Sequence, residues 1–351
     1  MNTHYISLAD FLVDSGQDLA PKNLVTLILT IADIIQAISA LTEKGDLGDI
    51  YGKLESQNIQ GETQMKLDVS TNQLFIDHLT RCGLVAGLAS EEMDAPLLIA
   101  GDGNKGDFLV IFDPLDGSSN VPVNVSIGSI FSILNSPKSH TPEDNDYLQP
   151  GNQQVAAGYA LYGPCTMLVL TTGKGTHGFT LDRENNAFLL THPNMSIPED
   201  TVEYAINASN ERFWEPPIKS YIAECKLGVV GTREKDFNMR WVASMVADIH
   251  RILLRGGIYL YPKDKKDLTK PGRLRLMYEA NPMAMLVEQA GGLASTGRTR
   301  ILDIQPDAVH QRIPIAMGSR NEVLRVERYH TAYDTGADEA LPLFNERSFY
   351  R

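Results

Sequence analysis

The sequence predicts a layered α/β protein, one large domain or two medium ones in closely packed layers, and three observations carry that expectation. Short apolar runs rich in strand formers, at residues 107–112, 126–134, 154–162 and 167–172, stand beside long amphipathic stretches such as 23–44. Turn signals separate them at Pro137, Gly163-Pro164 and Gly173-Lys174-Gly175. The 351 residues, 43% hydrophobic and 21% charged, match ordinary globular usage and leave enough chain for sizeable cores.

Taken in order, residues 23–44 read as an amphipathic helix rather than a membrane span, because Thr26, Thr30, Asp33 and Gln36 interrupt the apolar stretch. A polar, glycine-containing segment at 46–66 has no clear period and reads as a mobile loop. A second helix is expected at 70–81, then an apolar stretch at 83–89 that stops at Ser90-Glu91-Glu92. The strand at 107–112 stops at Asp113-Pro114. After about residue 198 longer helical stretches appear, including 238–254, followed by strands at 257–261 and 274–278. The latter stops at Glu279, with Asn281-Pro282 as N-cap and first helical position and Gly291-Gly292 as the helix end. The chain after about Tyr333 reads as a loosely held tail.

The formal charge of minus 13, from 31 Lys and Arg against 44 Asp and Glu, argues against nucleic acid or an anionic membrane as a partner of a general basic surface. Cys82, Cys165 and Cys225 are scattered without CxxC spacing, which fits a reducing cytosol and buried small hydrophobes. The first 20 residues carry Asp10, Asp14 and Asp18 and do not resemble a signal peptide.

Three separate predicted strands finish in carboxylates: Glu91 and Glu92, Asp113 and Asp116, and Glu279. Ligand sites of layered α/β folds gather at the carboxyl ends of strands, so these acids can share one crevice. Two carboxylates about 4 Å apart repel by roughly 4 kcal/mol at an effective dielectric near 20, so a cluster of five calls for a cation. Oxygen ligands without His or Cys suit Mg²⁺ or Mn²⁺ better than zinc. Gly117-Ser118-Ser119 then offers consecutive amides and hydroxyls at a turn, a phosphate-binding arrangement. Phosphate beside two divalent ions is the layout for in-line hydrolysis. As a bare octapeptide, residues 113–120 are also simply a good turn.

These segments resemble the class I fructose-1,6-bisphosphatases, within the lithium-sensitive, Mg²⁺-dependent phosphatases that include inositol monophosphatase. The matching stretches are Gln64-Met65-Lys66-Leu67-Asp68-Val69, Ala89-Ser90-Glu91-Glu92, and residues 112–120, 148–151, 155–163, 243–251 and 274–283, in order over about 5 to 330. The resemblance implies an α/β/α/β/α sandwich, two mixed sheets between helices, in the sugar-phosphatase fold. It implies an N-terminal domain at 1–197 with the metal and 1-phosphate site, a C-terminal domain at 198–334 with the sugar and 6-phosphate site, and a tail at 335–351. Glu91, Asp113, the Leu115 carbonyl, Asp116 and Glu279 match metal ligands for two or more ions. Asp68 and Glu92 match the groups that orient and deprotonate the attacking water, and Glu62 a loop acid that completes the site. Gly117, Ser118 and Ser119 fall at the 1-phosphate. Asn207, Asn210, Arg240, Trp241, Tyr261, Arg273 and Arg275 fall where the family holds the sugar and 6-phosphate, and Arg240 is similar to an arginine that enters a neighbouring subunit's site. A cytoplasmic homotetramer acting in gluconeogenesis or the Calvin cycle is implied.

Departures from the animal pattern bear on substrate preference. Asn210 and Trp241 stand where tyrosines usually contact the 6-phosphate, and Arg273 where a lysine usually contacts the substrate. Asp107 and Phe108 replace a Lys-Tyr pair associated with AMP inhibition. Sedoheptulose-1,7-bisphosphatase activity is the nearest alternative, and a catalytically silent sugar-phosphate sensor the alternative of another class. The presence of every metal carboxylate speaks against the sensor.

Overall fold

The computed structural model describes residues 5–14, 21–48, 53–57, 63–99, 106–267 and 270–337. In chain order the first half provides α1 (Leu8–Asp14), α2 (Lys22–Thr42), β1 (Lys53–Gln57), β2 (Thr63–Met65), α3 (Lys66–Arg81), β3 (Val85–Ser90), β4 (Leu97–Leu98), β5 (Phe108–Asp116), β6 (Ile127–Asn135), α4 (Asp144–Tyr147) and β7 (Ala156–Tyr162). β8 (Thr166–Thr171), β9 (Thr176–Asp182), β10 (Ala187–Met195), β11 (Glu203–Ile206), α5 (Pro216–Lys226), β12 (Asn238–Met239), α6 (Met245–Arg255) and β13 (Ile258–Tyr261) follow. The chain continues with β14 (Leu274–Arg275), α7 (Asn281–Gln289), β15 (Leu293–Ser295), β16 (Arg312–Ile313), β17 (Ile315–Gly318) and α8 (Arg320–Asp334).

Among the described residues, eight strands form one sheet in the order β10-β9-β8-β7-β6-β5-β3-β4, and five form a second in the order β12-β11-β13-β17-β15. Both are mixed: β3 runs parallel to β5 in the first, and β11 parallel to β12 and β13 in the second. Alternation along each strand divides the core. Phe112 and Phe131 face α2 and α3, while Ile111 and Ile130 face α6 and α7. In the second sheet Ala205 and Tyr259 join that middle layer, whereas Tyr204, Ile206 and Ile258 face α5 and α8. A period of two on both sheets thus produces the α/β/α/β/α order.

The helix read at 23–44 is α2. By length and composition it is apolar enough to cross a bilayer, but Leu24, Leu27, Ile28, Ile31, Ile34, Ile35 and Ile38 are packed into the layer against the larger sheet.

Several boundaries differ from the sequence expectation. The segment 46–66 contains a 3-10 turn at Gly45–Gly48 and the antiparallel pair β1 and β2. The helix expected at 70–81 starts at Lys66, which puts Asp68 in its first turn. The helix expected at 238–254 is divided: β12 comes first, Ala243 takes a left-handed backbone (φ 64), and Ser244 caps α6 by accepting from the Ala247 amide. The strand expected at 274–278 ends after Arg275 and becomes a π-helical turn, Leu276–Ala280. Asn281 is therefore already helical instead of capping, because that turn runs directly into α7. Of the cysteines expected to be buried, Cys225 is, Cys82 is half-buried, and Cys165 is exposed in the turn between β7 and β8.

Candidate active site

The parallel pairing of β3 and β5 places Ser90 opposite Phe112, so the next residues along the two strands' courses, Glu91 just past the end of β3 and Asp113 near the end of β5, stand side by side towards the carboxyl ends. The Glu91 amide donates to the Phe112 carbonyl at 3.2 Å. Glu92 follows, with its amide on the Ser90 hydroxyl at 3.2 Å. Asp68 arrives from the first turn of α3, where its carboxylate accepts from the Met65 amide at 2.7 Å. Glu279 arrives from the π-helical turn, an element that often marks functional positions, and accepts from the Arg275 amide at 2.6 Å.

These residues line a crevice of about 240 Å³ with Leu115, Asp116, Gly117, Ser118 and Ser119. Among its described lining residues, six carboxyl side chains face one guanidinium, that of Arg275. Arg275 is itself buried and reaches Glu91 at 2.8 Å and Glu279 at 3.9 Å. One cation cannot balance six acids, and the acids respond as electrostatics demands. Burial, then repulsion from Glu91, Asp116 and Glu279, drives the Asp113 carboxyl well above its ordinary range. Burial, opposed by the Arg275 charge, pushes Glu279 up to about 8. Burial likewise pushes Asp68 up to about 7, with Glu92 and Glu91 adding repulsion and the Met65 amide and Ser118 hydroxyl opposing.

Asp116 is raised by burial as well, but hydrogen bonds restrain it. Its Oδ2 accepts from the Val246 amide at 3.0 Å and the Ser244 hydroxyl at 3.1 Å. The start of α6 thus holds this carboxylate, where the helix dipole favours a negative charge.

Carboxylate oxygens of Asp113, Asp116 and Glu279 lie within 4.8 Å of one another, all three residues buried. An all-oxygen set with excess negative charge fits a hard divalent cation. Gly117 turns the chain with a left-handed backbone (φ 78), and a side chain there would meet Ser244 at 3.1 Å. Glycine is therefore required both for the turn and for the approach of the Ser244 cap. Asn120, from the 3-10 turn Ser118–Val123, donates to the Ala243 carbonyl at 3.3 Å and ties this turn to the segment before α6.

Of the residues expected at the sugar end, Tyr261 and Arg275 line the crevice. Trp241 adjoins it, its ring stacked on Tyr259 and tilted against Tyr261, each at 5.8 Å. Asn207, Asn210, Arg240 and Arg273 do not line this crevice. Asn207 caps a turn after β11 by accepting from the Ser209 amide, and Asn210 lies within that turn. Arg273 pairs with Asp264 at 3.3 Å, and Arg240, half-exposed, is 3.8 Å from Glu203. Glu62 lies outside the described residues. Tyr259, Ala243, Met245 and Leu274 also line the crevice, and Ser244 and Asp248 support it. Asp248, fully buried, accepts from the Val242 amide at 3.1 Å. A serine directly before an apolar periodic run was the available signal for the cap.

Residues 6–193 match the family model for the N-terminal domain of fructose-1-6-bisphosphatase, and residues 197–331 the model for its C-terminal domain. Solved structures of fructose-1,6-bisphosphatase from Leishmania major are similar. The holo form is 39% identical, with a TM-score of 0.87, covering 93% of this chain and 99% of that one. The apo and T-state forms are each 38% identical with TM-scores of 0.82 and the same coverage.

Proposed function

Because the chain belongs to the class I fructose-1,6-bisphosphatase family and hydrolyses D-fructose 1,6-bisphosphate to fructose 6-phosphate and phosphate, we propose that the acidic crevice performs this reaction as a Mg²⁺ or Mn²⁺ centre. The observation that carries the assignment is the excess of six carboxyl groups over one guanidinium in a buried pocket. Glu91, Asp113, Asp116, Glu279 and the Leu115 carbonyl would hold two or more ions. Such ions, when bound, polarise the phosphoryl oxygens and offset charge developing on the leaving oxygen.

The protein's own groups do the rest. Asp68 and Glu92 orient the attacking water and take its proton, a carboxylate serving as the base. The amides of Gly117 and Ser118, with the Ser118 and Ser119 hydroxyls, hold the 1-phosphate, and Glu62 completes the acid set. Tyr261, Arg275, Asn207, Asn210, Trp241 and Arg273 orient the sugar and 6-phosphate.

Arg240 lies outside its own subunit's crevice with its side chain 53% exposed, so it is available to a neighbouring subunit's site in the homotetramer that the family resemblance implies. In this reading the chain divides near residue 197, and the site forms where the N-terminal acids meet Arg275 and Glu279 of the C-terminal part. A cytoplasmic enzyme of gluconeogenesis or the Calvin cycle is the fitting context.

The test is phosphate release from fructose 1,6-bisphosphate, sedoheptulose 1,7-bisphosphate and inositol phosphate, titrated with Mg²⁺ and with EDTA, for wild type and Asp113→Ala. Wild type should favour the fructose substrate and need the cation. Turnover by Asp113→Ala within a fewfold of wild type overturns the metal assignment.

A further inference from the structure

Where β5 runs into the acidic crevice, its register with β6 slips. Asp113 pairs with Ile130 and Asp116 with Gly128, so Pro114 and Leu115 together face one residue, Ser129. Two residues opposite one is a β-bulge, a device that bends a strand and re-aims its side chains. In a regular strand, residues three apart point to opposite faces. Asp113 and Asp116 are three apart, yet their carboxylate oxygens converge on one spot with Glu279. The bulge makes that convergence geometrically possible.

A bulge tolerates the proline, which brings no N–H to the ladder, but it interrupts the ladder locally, and the Pro114 carbonyl is engaged by a side chain. Ser129 is wholly buried and donates its hydroxyl proton to the Pro114 carbonyl at 2.7 Å. A serine hydroxyl has a single proton. The 2.9 Å contact between Ser129 Oγ and the Tyr162 hydroxyl is therefore a bond donated by the phenol. Burial pushes that phenol above its ordinary value of 10, so it remains a donor throughout the physiological range. The neighbouring Gly128 has no room for a side chain: a Cβ would lie 2.1 Å from the Ala160 carbonyl oxygen and 2.7 Å from Val246.

We propose that Ser129, oriented by Tyr162, is a positioning residue for the metal centre: it braces the Pro114 carbonyl and so fixes the bulge that aims Asp113 and Asp116 at one cation. The proposal rests on the reading of those two aspartates as metal ligands.

The test is Mn²⁺ binding to the metal-free protein, followed by the electron paramagnetic resonance of free Mn²⁺, together with kcat and KM. Ser129→Ala should weaken Mn²⁺ binding by about tenfold or more, the usual effect of losing a group that orients a ligand. It should lower kcat while leaving KM for the sugar bisphosphate within about twofold. Ser129→Thr, which keeps the hydroxyl, should stay within about twofold of wild type in both. Should Ser129→Ala not fold, Ser129→Cys, nearly isosteric and only a weak donor, takes its place with the same expectation. Binding by Ser129→Ala at wild-type strength, or binding by Ser129→Thr as weak as that of Ser129→Ala, overturns the proposal. Asp113→Asn separates the two levels: Mn²⁺ binding at wild-type strength there overturns the metal reading itself, and its loss there leaves only the brace in question.

Discussion

Stripping divalent metal should leave a protein that is less stable at about pH 8.5 than at about pH 5.5, and restoring the metal should remove most of that difference. Glu279 is pushed by burial from an ordinary 4.5 to about 8, and Asp68 from 3.8 to about 7. A carboxyl whose folded value lies above its unfolded value binds its proton more tightly in the folded state. The stability it provides is fully present below the unfolded value, near pH 4, and is lost as pH rises through the folded value. At 1.36 kcal/mol per pH unit, between about pH 5.5 and 8.5 Glu279 loses on the order of 3 kcal/mol and Asp68 on the order of 2 kcal/mol. Asp113, shifted in the same direction, adds to the loss. A total of about 5 kcal/mol is a large part of the stability of a typical protein.

A cation bound to the ionised acids works in the opposite sense and offsets this loss, since it stabilises the folded state by RT ln(1 + [metal]/Kd) and binds more tightly at the higher pH, where the acids are ionised. Urea unfolding reports the effect through Trp214, which is buried, and Trp241, which packs beside the crevice. Four curves suffice, at the two pH values with EDTA and with millimolar Mn²⁺. The reasoning is refuted if the EDTA-treated protein is equally stable or more stable at pH 8.5, or if Mn²⁺ stabilises equally at both.

Two substitutions probe neighbouring parts of the site. Arg275→Ala removes the guanidinium paired with Glu91 and Glu279. The metal-free protein should lose about 3 kcal/mol at pH 8, the lower end for breaking a buried pair, and less at pH 5.5, as measured by urea midpoints. Gly128→Ala places a carbon against the Ala160 carbonyl oxygen and Val246. Overpacking against backbone should destabilise by about 3 kcal/mol and displace the start of α6, checked by thermal unfolding beside phosphate release.

Much of the site is legible in the sequence, because strands buried on both faces read as unbroken apolar runs and the residues that stop them stand out. β3 and β5 are of that kind, and so Glu91 and Asp113 can be found without coordinates. The sequence points to Glu279 for a partly mistaken reason. Leu274-Arg275-Leu276-Met277-Tyr278 looks like a strand, yet only two residues pair before the chain enters the π-helical turn that delivers the acid. The local signal for the cap, Ser244 ahead of the apolar run of α6, competes with an apolar pattern that continues back towards Asn238, and nothing local signals the left-handed Ala243. β13 is legible as the apolar run at 257–261, but β11 and β12 are four and two residues long and take their stability from neighbours far along the chain, so they leave little local trace. The β-bulge is equally silent: Asp-Pro-Leu-Asp-Gly signals a turn, whereas the register slip depends on Ser129 in the next strand.

Asp116 shows why the crevice requires both halves of the chain. Its Oδ2 accepts from the Ser244 hydroxyl and the Val246 amide, and a carboxylate oxygen of the same residue lies within 4.8 Å of those of Asp113 and Glu279. Removing the cap would therefore do more than lose a hydrogen bond, because the Asp116 carboxyl would lose donors that favour its ionised form and drift upward towards Asp113. The segment before α6, which carries Arg240 and Trp241, leads directly into that cap and is tied to the same region, Asn120 holding the Ala243 carbonyl and Asp248 the Val242 amide. Ionisation of a metal ligand and placement of the sugar-facing segment are thus coupled through one helix terminus, and a change on either side should be felt on the other.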